Sequence, residues 1–504
     1  MRGFRERLFA MLGLCFVLVM VALDQTVIGT ALPTVVAELN GFGLYAWVGT
    51  AYLLTSVITV PIFGKLGDEH GRKPFVLAAI LLFTAASMLC GISMSMLQLV
   101  FSRALQGIGG GMLVIASFAS VPDLFPDPKE RLRWQVLFST AFGLANAVGP
   151  SLGGYLTQYF GWRSVFFVNL PVGMLSLFFV WKYLPRIRHS EQPPSPLDWA
   201  GAGLIALTLT SLQLFVEWLP ENRPGSWLAA TAFVGLTSLF MLLWWESKCE
   251  NPVLPLAMFR RRELAPLFSL SLMMGFCMFS VMYYAPLMLQ GGFGLPPDRA
   301  GLLVTPLAVS ITVGSIINGR IVTRISVPNR MLFAGLALFG TATFGLAHLE
   351  PQTAHPLIAA TMMTAGLGIG MLMPNLTLFV QGNAHRSQLG VATAMLQSTR
   401  MIGGMLGTAI VGTLVSHRYT SEMLAIRNWG KRLSDPQILV NHRLASKFAF
   451  EAGNNAAGLM NRARFSMVSA IHHGFWLVAA VLFLAFWVTI LLPPIHLGNR
   501  HERS

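Results

Sequence analysis

Gly64-Lys65-Leu66-Gly67-Asp68-Glu69-His70-Gly71-Arg72-Lys73 is a polar stretch set between two apolar runs, 46–64 and 75–93. Its three glycines permit a tight turn and a close approach of the flanking segments. Asp68 suits the exposed N–H groups of a nearby helix start, and Arg72 suits a carboxylate. Taken alone, the stretch is a well-hydrated basic turn. Its neighbours make it informative, because each approaches the roughly 20 apolar residues that cross a bilayer as a helix.

The pattern repeats outward in both directions. Apolar runs predict fourteen helices, over 8–32, 46–64, 75–93, 99–121, 134–157, 164–184, 199–219, 227–245, 265–289, 298–319, 331–348, 355–380, 391–415 and 474–493. Composition agrees: of 504 residues, 54% are hydrophobic and only 11% charged, against about a quarter charged in soluble chains. So few charges cannot cover the surface of water-soluble domains of this size. Soluble enzymes, coiled coils and disordered scaffolds are excluded, and an all-α polytopic membrane protein is expected. Arg2, Arg5 and Arg7 before the run from Leu8 mimic a signal peptide. Without an A-x-A-like cleavage site, and with Asp24 inside the run, this reads as an uncleaved first span.

The net charge of +14 does not point to nucleic acid, because basic residues gather in short loops rather than along a stripe. With the N-terminus inside, cytoplasmic segments hold 22 Lys and Arg, and the short outer loops hold only Arg163, Arg223 and Arg299. That asymmetry follows the positive-inside rule. It predicts both termini in the cytoplasm; the expected location, the cytoplasmic (inner) membrane of a bacterium, goes with the family resemblance given below. The exception, an outer loop over 416–473 with eight basic residues, is long enough to count little. Cys15, Cys90, Cys249 and Cys277 stand far apart, with no zinc or disulfide spacing.

Two Pro-bearing cytoplasmic stretches, 185–198 and 246–263, bracket helices 7 and 8. They divide the chain into an N-terminal six-helix bundle (1–184), a linker with two additional spans (185–263) and a C-terminal six-helix bundle (264–504). The halves echo each other: GIGGGM (107–112) then GPSLGG (149–154) early, GLGIGM (366–371) then GGMLG (403–407) late. A six-plus-six repeat suggests a transporter with its substrate site between the halves, although glycines also mark ordinary tight packing.

The loop 64–73 resembles the signature G-x-L-x-D-x-x-G-R-[RK] of the major facilitator superfamily. Leu23-Asp24-Gln25-Thr26-Val27 through Pro33 resembles the first-helix motif of its fourteen-helix drug:proton antiporters. Arg103-Ala104-Leu105-Gln106-Gly107 through Gly111 matches the fourth-helix motif, and Gly143, Gly149-Pro150 and Gly153-Gly154 match the antiporter motif of helix 5. Gly161-Trp162-Arg163, Asn169 through Gly173, and Arg400 with Gly403-Gly404 follow as in that family. The resemblance implies two six-helix bundles plus two inserted helices, and proton-coupled export of small molecules.

Within that frame particular residues carry the chemistry. Asp24 lies in an apolar helix, where an ionised carboxylate is costly, so it is the expected protonation switch. The alternative is a structural aspartate bonded to Thr26 or Gln25. Arg103 is its natural partner, since the resemblance places helices 1 and 4 on one central cavity. Nearness lets Arg103 favour the charged carboxylate in one conformation and not in the other. The resemblance also makes Asp68, Arg72 and Asp123 a charge cluster latching the inner side. Gln25, Gln106, Asn146, Asn375 and Arg400 are candidate cavity residues, with Asn375, Gln397 or an anionic substrate group facing Arg400. Glu217, at the outer end of helix 7, reads as solvated. Gly149-Pro150-Ser151-Leu152-Gly153 fits the G-x-S-x-G hydrolase pattern, but that motif needs a strand-to-helix turn this chain does not offer.

The expected function is proton-driven export of lipophilic or cationic drugs by alternating access. A dedicated exporter of a siderophore, lipid or metabolite shares every motif. Neither a P-loop nor H-E-x-x-H occurs, so ATP-driven pumping, an enzyme, a metal and a cofactor are not expected. Expected partners are membrane lipids, a small-molecule substrate and protons, with a monomer and no nucleic acid. A periplasmic adaptor with an outer-membrane channel is left open. The loop 416–473 contains RLASKFAFEA, which suggests a short amphipathic helix. It reads either as a lid over the outer vestibule or as a helix resting on headgroups, and excising its centre is expected to spare folding.

Overall fold

The computed structural model of the protein describes residues 4–125, 128–186, 198–218, 225–249, 252–253, 256–322, 329–384, 389–426 and 429–493. Among them every element is helical and no strand occurs. A lipid-spanning segment has no water to satisfy its backbone, and the helix satisfies it internally.

Long helices follow the expected runs in order. The first six are α1 (Phe4–Leu39), α2 (Tyr45–His70), α3 (Arg72–Gly91), α4 (Met96–Leu124), α5 (Pro128–Phe160) and α6 (Asn169–Tyr183). The inserted pair is α7 (Trp199–Trp218) and α8 (Gly225–Lys248). The last six are α9 (Ala265–Leu287), α10 (Pro297–Ile321), α11 (Asn329–Leu346), α12 (His355–Asn383), α13 (Leu389–Leu424) and α14 (Ala456–Ile490). Twelve of the described helices are long and apolar enough to cross a membrane. The other two, α5 and α11, coincide with the expected spans 134–157 and 331–348. Ser, Thr, Asn and Gly along α5, and Asn329-Arg330 opening α11, reduce their apolar character. Among the described residues, length and composition thus mark twelve candidate spans and do not confirm the fourteen expected.

Two connections differ from expectation. The loop 64–73 shrinks to Gly71: α2 continues to His70 and α3 begins at Arg72. Gly71 turns the chain at φ 87°, which only glycine adopts without strain. The segment 416–473 is not a loop throughout, since α13 runs to Leu424 and α14 starts at Ala456. Between them lies the helix His442–Ala452, where the amphipathic run is expected. This segment is anchored: Asn441 Nδ2 donates to the carbonyl of Ala37, and Leu433 and Phe448 are buried. Excising its centre therefore removes core, contrary to the expectation.

The glycine echo is a packing echo. In the first half α4 lies on α2, and a Cβ at Gly107 would stand 2.3 Å from the Tyr52 carbonyl. In the second half α12 lies on α10, with Gly370 as close to the Ile311 carbonyl, at 2.2 Å. Ser56 donates to the carbonyl of Gly107 at 2.8 Å, and Ser315 to that of Gly370 at 3.0 Å. Likewise α5 meets α1 through Gly149 and Gly153, and α13 meets α9 through Gly403 and Gly407. Fourth packs on second and fifth on first in both halves. The seams between halves obey the same rule, α5 on α10 and α2 on α13, as a twofold relation requires. The inserted pair packs on itself, and α7 also touches α2 and α13.

The helix-5 motif divides its labour. Gly149 and Gly153, one turn apart, fit against Thr26, Val27 and Thr30 of α1. Gly143, Pro150 and Gly154 face α10, at Thr312, Gly301 and Pro297. Ser151 bonds Thr305 of α10 at 2.5 Å within a continuous helix, which disposes of the hydrolase pattern.

Candidate functional site

Asp24 sits inside α1 at 4% exposure. Its Oδ2 accepts from Arg103 Nη1 at 2.7 Å, and its Oδ1 from Gln106 Nε2 at 2.7 Å. Arg103 and Gln106 stand three apart on α4, hence on one helix face. Arg103 Nη1 also donates to Gln106 Oε1 at 2.7 Å, and its Nε to the Val48 carbonyl of α2 at 3.2 Å. The Tyr52 ring lies 4.5 Å from the guanidinium carbon, and Gln25 lies beside the Tyr52 hydroxyl. Arg103 is completely buried. A wholly buried charge needs a counterion and hydrogen bonds; Asp24 and Gln106 serve Nη1 and the Val48 carbonyl serves Nε, while Nη2 is buried without a hydrogen-bond partner.

Several members of the network escape sequence reasoning. Asn169, at the start of α6, lies 3.4 Å from Asp24 Oδ1 and donates to Ser87 Oγ at 3.0 Å. The Cys90 thiol points at Gln106 Oε1, 3.5 Å away. Tyr283 comes from the other half: its ring fills the space left by Gly49, and it lies near enough to Arg103 for the two to interact electrostatically. Only Asn169 lay in a stretch the sequence had marked.

The remaining candidates separate. Thr26 bonds carbonyls of its own helix, not Asp24. Asn146 Nδ2 donates to the Phe142 carbonyl one turn back. Arg400 Nη2 donates to Gln397 Oε1. Asn375 is committed elsewhere, in a reciprocal amide pair with Asn318 at 2.8 and 2.9 Å that joins α10 to α12. Glu217 is not simply solvated: Trp47 Nε1 donates to its Oε2. Of the latch, the side chains of Asp68 and Asp123 lie outside the described residues, and Arg72 sits at the first position of α3.

On the side of the Leu39–Tyr45 connection the two halves are joined. Tyr45 donates its hydroxyl proton to the Tyr283 carbonyl at 2.8 Å, and Gln290 Nε2 donates to the Thr30 carbonyl at 2.7 Å. Gly29 lets α1 approach the Met282 carbonyl, 3.0 Å from where a Cβ would stand. The Asp24 network thus lies beneath contacts that join the two halves.

Comparison with known proteins agrees with this architecture. The family model of the Major Facilitator Superfamily matches residues 14–408. Multidrug transporter protein MdtP of Bacillus subtilis (strain 168) is 33% identical over 420 residues, covering 82% of this chain and 76% of that relative. Multidrug resistance protein 3 of the same organism is 30% identical over 498 residues, 96% of this chain and 94% of the relative. The tetracenomycin C resistance and export protein of Streptomyces glaucescens is 30% identical over 407 residues, 79% and 74%. The crystal structure of a bacterial homologue of the human lysosomal transporter Spinster, inward-facing and unoccupied, aligns at a TM-score of 0.61. It is 15% identical and covers 97% of this chain and 98% of that one, a likeness of fold. With its two seams, its glycine-paired halves and a family match over most of its length, the chain belongs to the Major Facilitator Superfamily.

Proposed function

We propose that this transporter exports lipophilic or cationic small molecules by alternating access, in exchange for protons, with Asp24 as the proton carrier. The observation that carries the reading is the buried Asp24–Arg103 pair. A buried ion pair contributes little net stability, because desolvation offsets its attraction, so stability alone does not account for it. A proton arriving on Asp24 removes the counterion of a fully buried guanidinium. Arg103 must then find water or another acceptor, which the closed arrangement does not supply. Protonation therefore favours a rearrangement of α1 against α4. Tyr283 transmits it to the second half, since it lies in the electrostatic reach of Arg103 and holds the outer closure through its carbonyl. Entry of one proton supplies about 2.3 kcal/mol per 100 mV.

The names of the Bacillus relatives support a multidrug range. The tetracenomycin C exporter supports the second reading, a pump dedicated to one metabolite. A drug panel on an efflux-deficient bacterial host separates the two. The multidrug reading expects resistance to several unrelated cationic compounds with wild type and to none with Asp24→Asn; resistance to a single compound selects the dedicated exporter. Undiminished proton-driven export by Asp24→Asn in proteoliposomes refutes the coupling role.

A further inference from the structure

Asn169, the first residue of α6, is completely buried between Asp24 of α1 and Ser87 of α3. Its Nδ2 makes both contacts, to Asp24 Oδ1 at 3.4 Å and to Ser87 Oγ at 3.0 Å. Its Oδ1 is buried with no hydrogen-bond partner. Buried polar atoms are nearly always paired, so this one calls for an explanation.

The neighbouring carboxyl group supplies it. Among the described residues, the side chains bonded to Asp24 are Arg103, Gln106 and Asn169, and each presents an N–H. That ring of donors suits a charged carboxylate, which only accepts. A protonated carboxyl brings an O–H into the same ring, where it needs an acceptor. Arg103 has none. Gln106 Oε1 already accepts from Arg103 Nη1 at 2.7 Å and faces the Cys90 thiol. Asn169 Oδ1 is unengaged, and a half-turn about the Cβ–Cγ bond puts it where Nδ2 stands. Ser87 can follow that turn. Its hydroxyl now donates to the Phe166 carbonyl at 2.9 Å and can rotate to a new acceptor.

We propose that Asn169 is a positioning residue for the proton on Asp24: Nδ2 donates to the charged carboxylate, and the turned amide accepts the Asp24 O–H through Oδ1. The proposal rests on Asp24 as the proton carrier. The proton stays on Asp24 Oδ1, and Asn169 neither gains nor loses one. Without the turn, the protonated state strands both the new O–H and Asn169 Oδ1; with it, only an amide N–H is left over. The turn also draws the Ser87 hydroxyl off the Phe166 carbonyl, so protonation in α1 is felt where the chain enters α6.

The test is infrared difference spectroscopy, acid minus alkaline, on the full chain in proteoliposomes, isotopically labelled at the side-chain carbonyl carbon of asparagine. Wild type is expected to show a protonated-carboxyl band and a labelled asparagine carbonyl band moving to lower frequency, because Oδ1 goes from no partner to two. Both should vanish in Asp24→Asn. In Asn169→Leu the carboxyl band should persist at higher frequency, its O–H having lost its acceptor, and the asparagine signal should disappear. Proton-driven turnover of Asn169→Leu should fall about tenfold, the worth of one hydrogen bond, with substrate affinity within about twofold of wild type. A carboxyl band at the wild-type frequency in Asn169→Leu, or one in wild type without an asparagine signal, overturns the assignment and leaves Asp24 as carrier. Absence of any Asp24-dependent carboxyl band in wild type overturns both readings. If Asn169→Leu does not fold, the labelled wild type and Asp24→Asn decide by the same criteria.

Discussion

Asp24 of α1 and Arg103 of α4, 79 residues apart in the chain, meet at 2.7 Å with almost no solvent on either side chain. Gln106 bonds both, so the three side chains form a closed triangle. Neutralising one corner strands the others, and this relation governs what substitutions there should do.

Arg103→Leu leaves the Asp24 carboxylate buried without its counterion and should destabilise the protein by about 3–5 kcal/mol. The double variant Asp24→Asn/Arg103→Leu, with neither charge, should recover most of that loss. Thermal unfolding in detergent checks it. If the double variant is as unstable as the sum of the single ones, the pair is not the unit proposed.

Tyr283→Phe keeps the ring against Gly49 but removes the hydroxyl dipole from the neighbourhood of Arg103. Folding should be retained, with a change below about 1.5 kcal/mol, the worth of one hydrogen bond. Proton-driven export should nevertheless fall, because the link between Arg103 and the second half is cut. Substrate binding at equilibrium should stay near wild type. A variant with full transport in proteoliposomes removes Tyr283 from the coupling route.

The α5 glycines should divide by partner. Ala at Gly149 places a Cβ 1.8 Å from Thr26 Oγ1 within one half, so the cost should fall on stability, about 1–3 kcal/mol. Ala at Gly154 meets the Pro297 carbonyl across the seam at 2.3 Å, so the cost should fall on the closed outer arrangement. Thiol labelling of Thr34→Cys, in a background without the native cysteines, should speed up in Gly154→Ala and not in Gly149→Ala. Equal labelling in both would show that the seam does not set the conformational balance.

Asp68→Asn should slow turnover with little change in substrate affinity, as a latch at the inner side requires. Transport kinetics and equilibrium binding on the same preparation test it, and a defect confined to affinity contradicts the latch.

Deletion of 436–452 should lower the unfolding temperature by several degrees, because Ile438, Leu439 and Phe448 leave the core. Phe450→Ala, at a side chain 91% exposed, should leave it unchanged. An unaltered melting curve for the deletion would return the segment to the status of a dispensable loop.

The sequence alone determined the helical class and the order of the spans. An apolar run in lipid has one local way to satisfy its backbone, and hydropathy reports it. It also marked Asp24 and Arg103, because a charge inside such a run is costly wherever the chain places it. It could not say where a helix stops beyond the apolar run. That is why 64–73 read as a loop when α2 and α3 meet at Gly71. Partners were likewise beyond reach. Glycines at i and i+4 define a face but not the helix it meets, and only packing assigned Gly149 to α1 and Gly154 to α10. The Asn318–Asn375 pair, the Trp47–Glu217 bond and the approach of Tyr283 to Arg103 each join residues more than fifty positions apart. Such distances are set by how two six-helix halves close on each other, a property of the whole fold that no local pattern encodes.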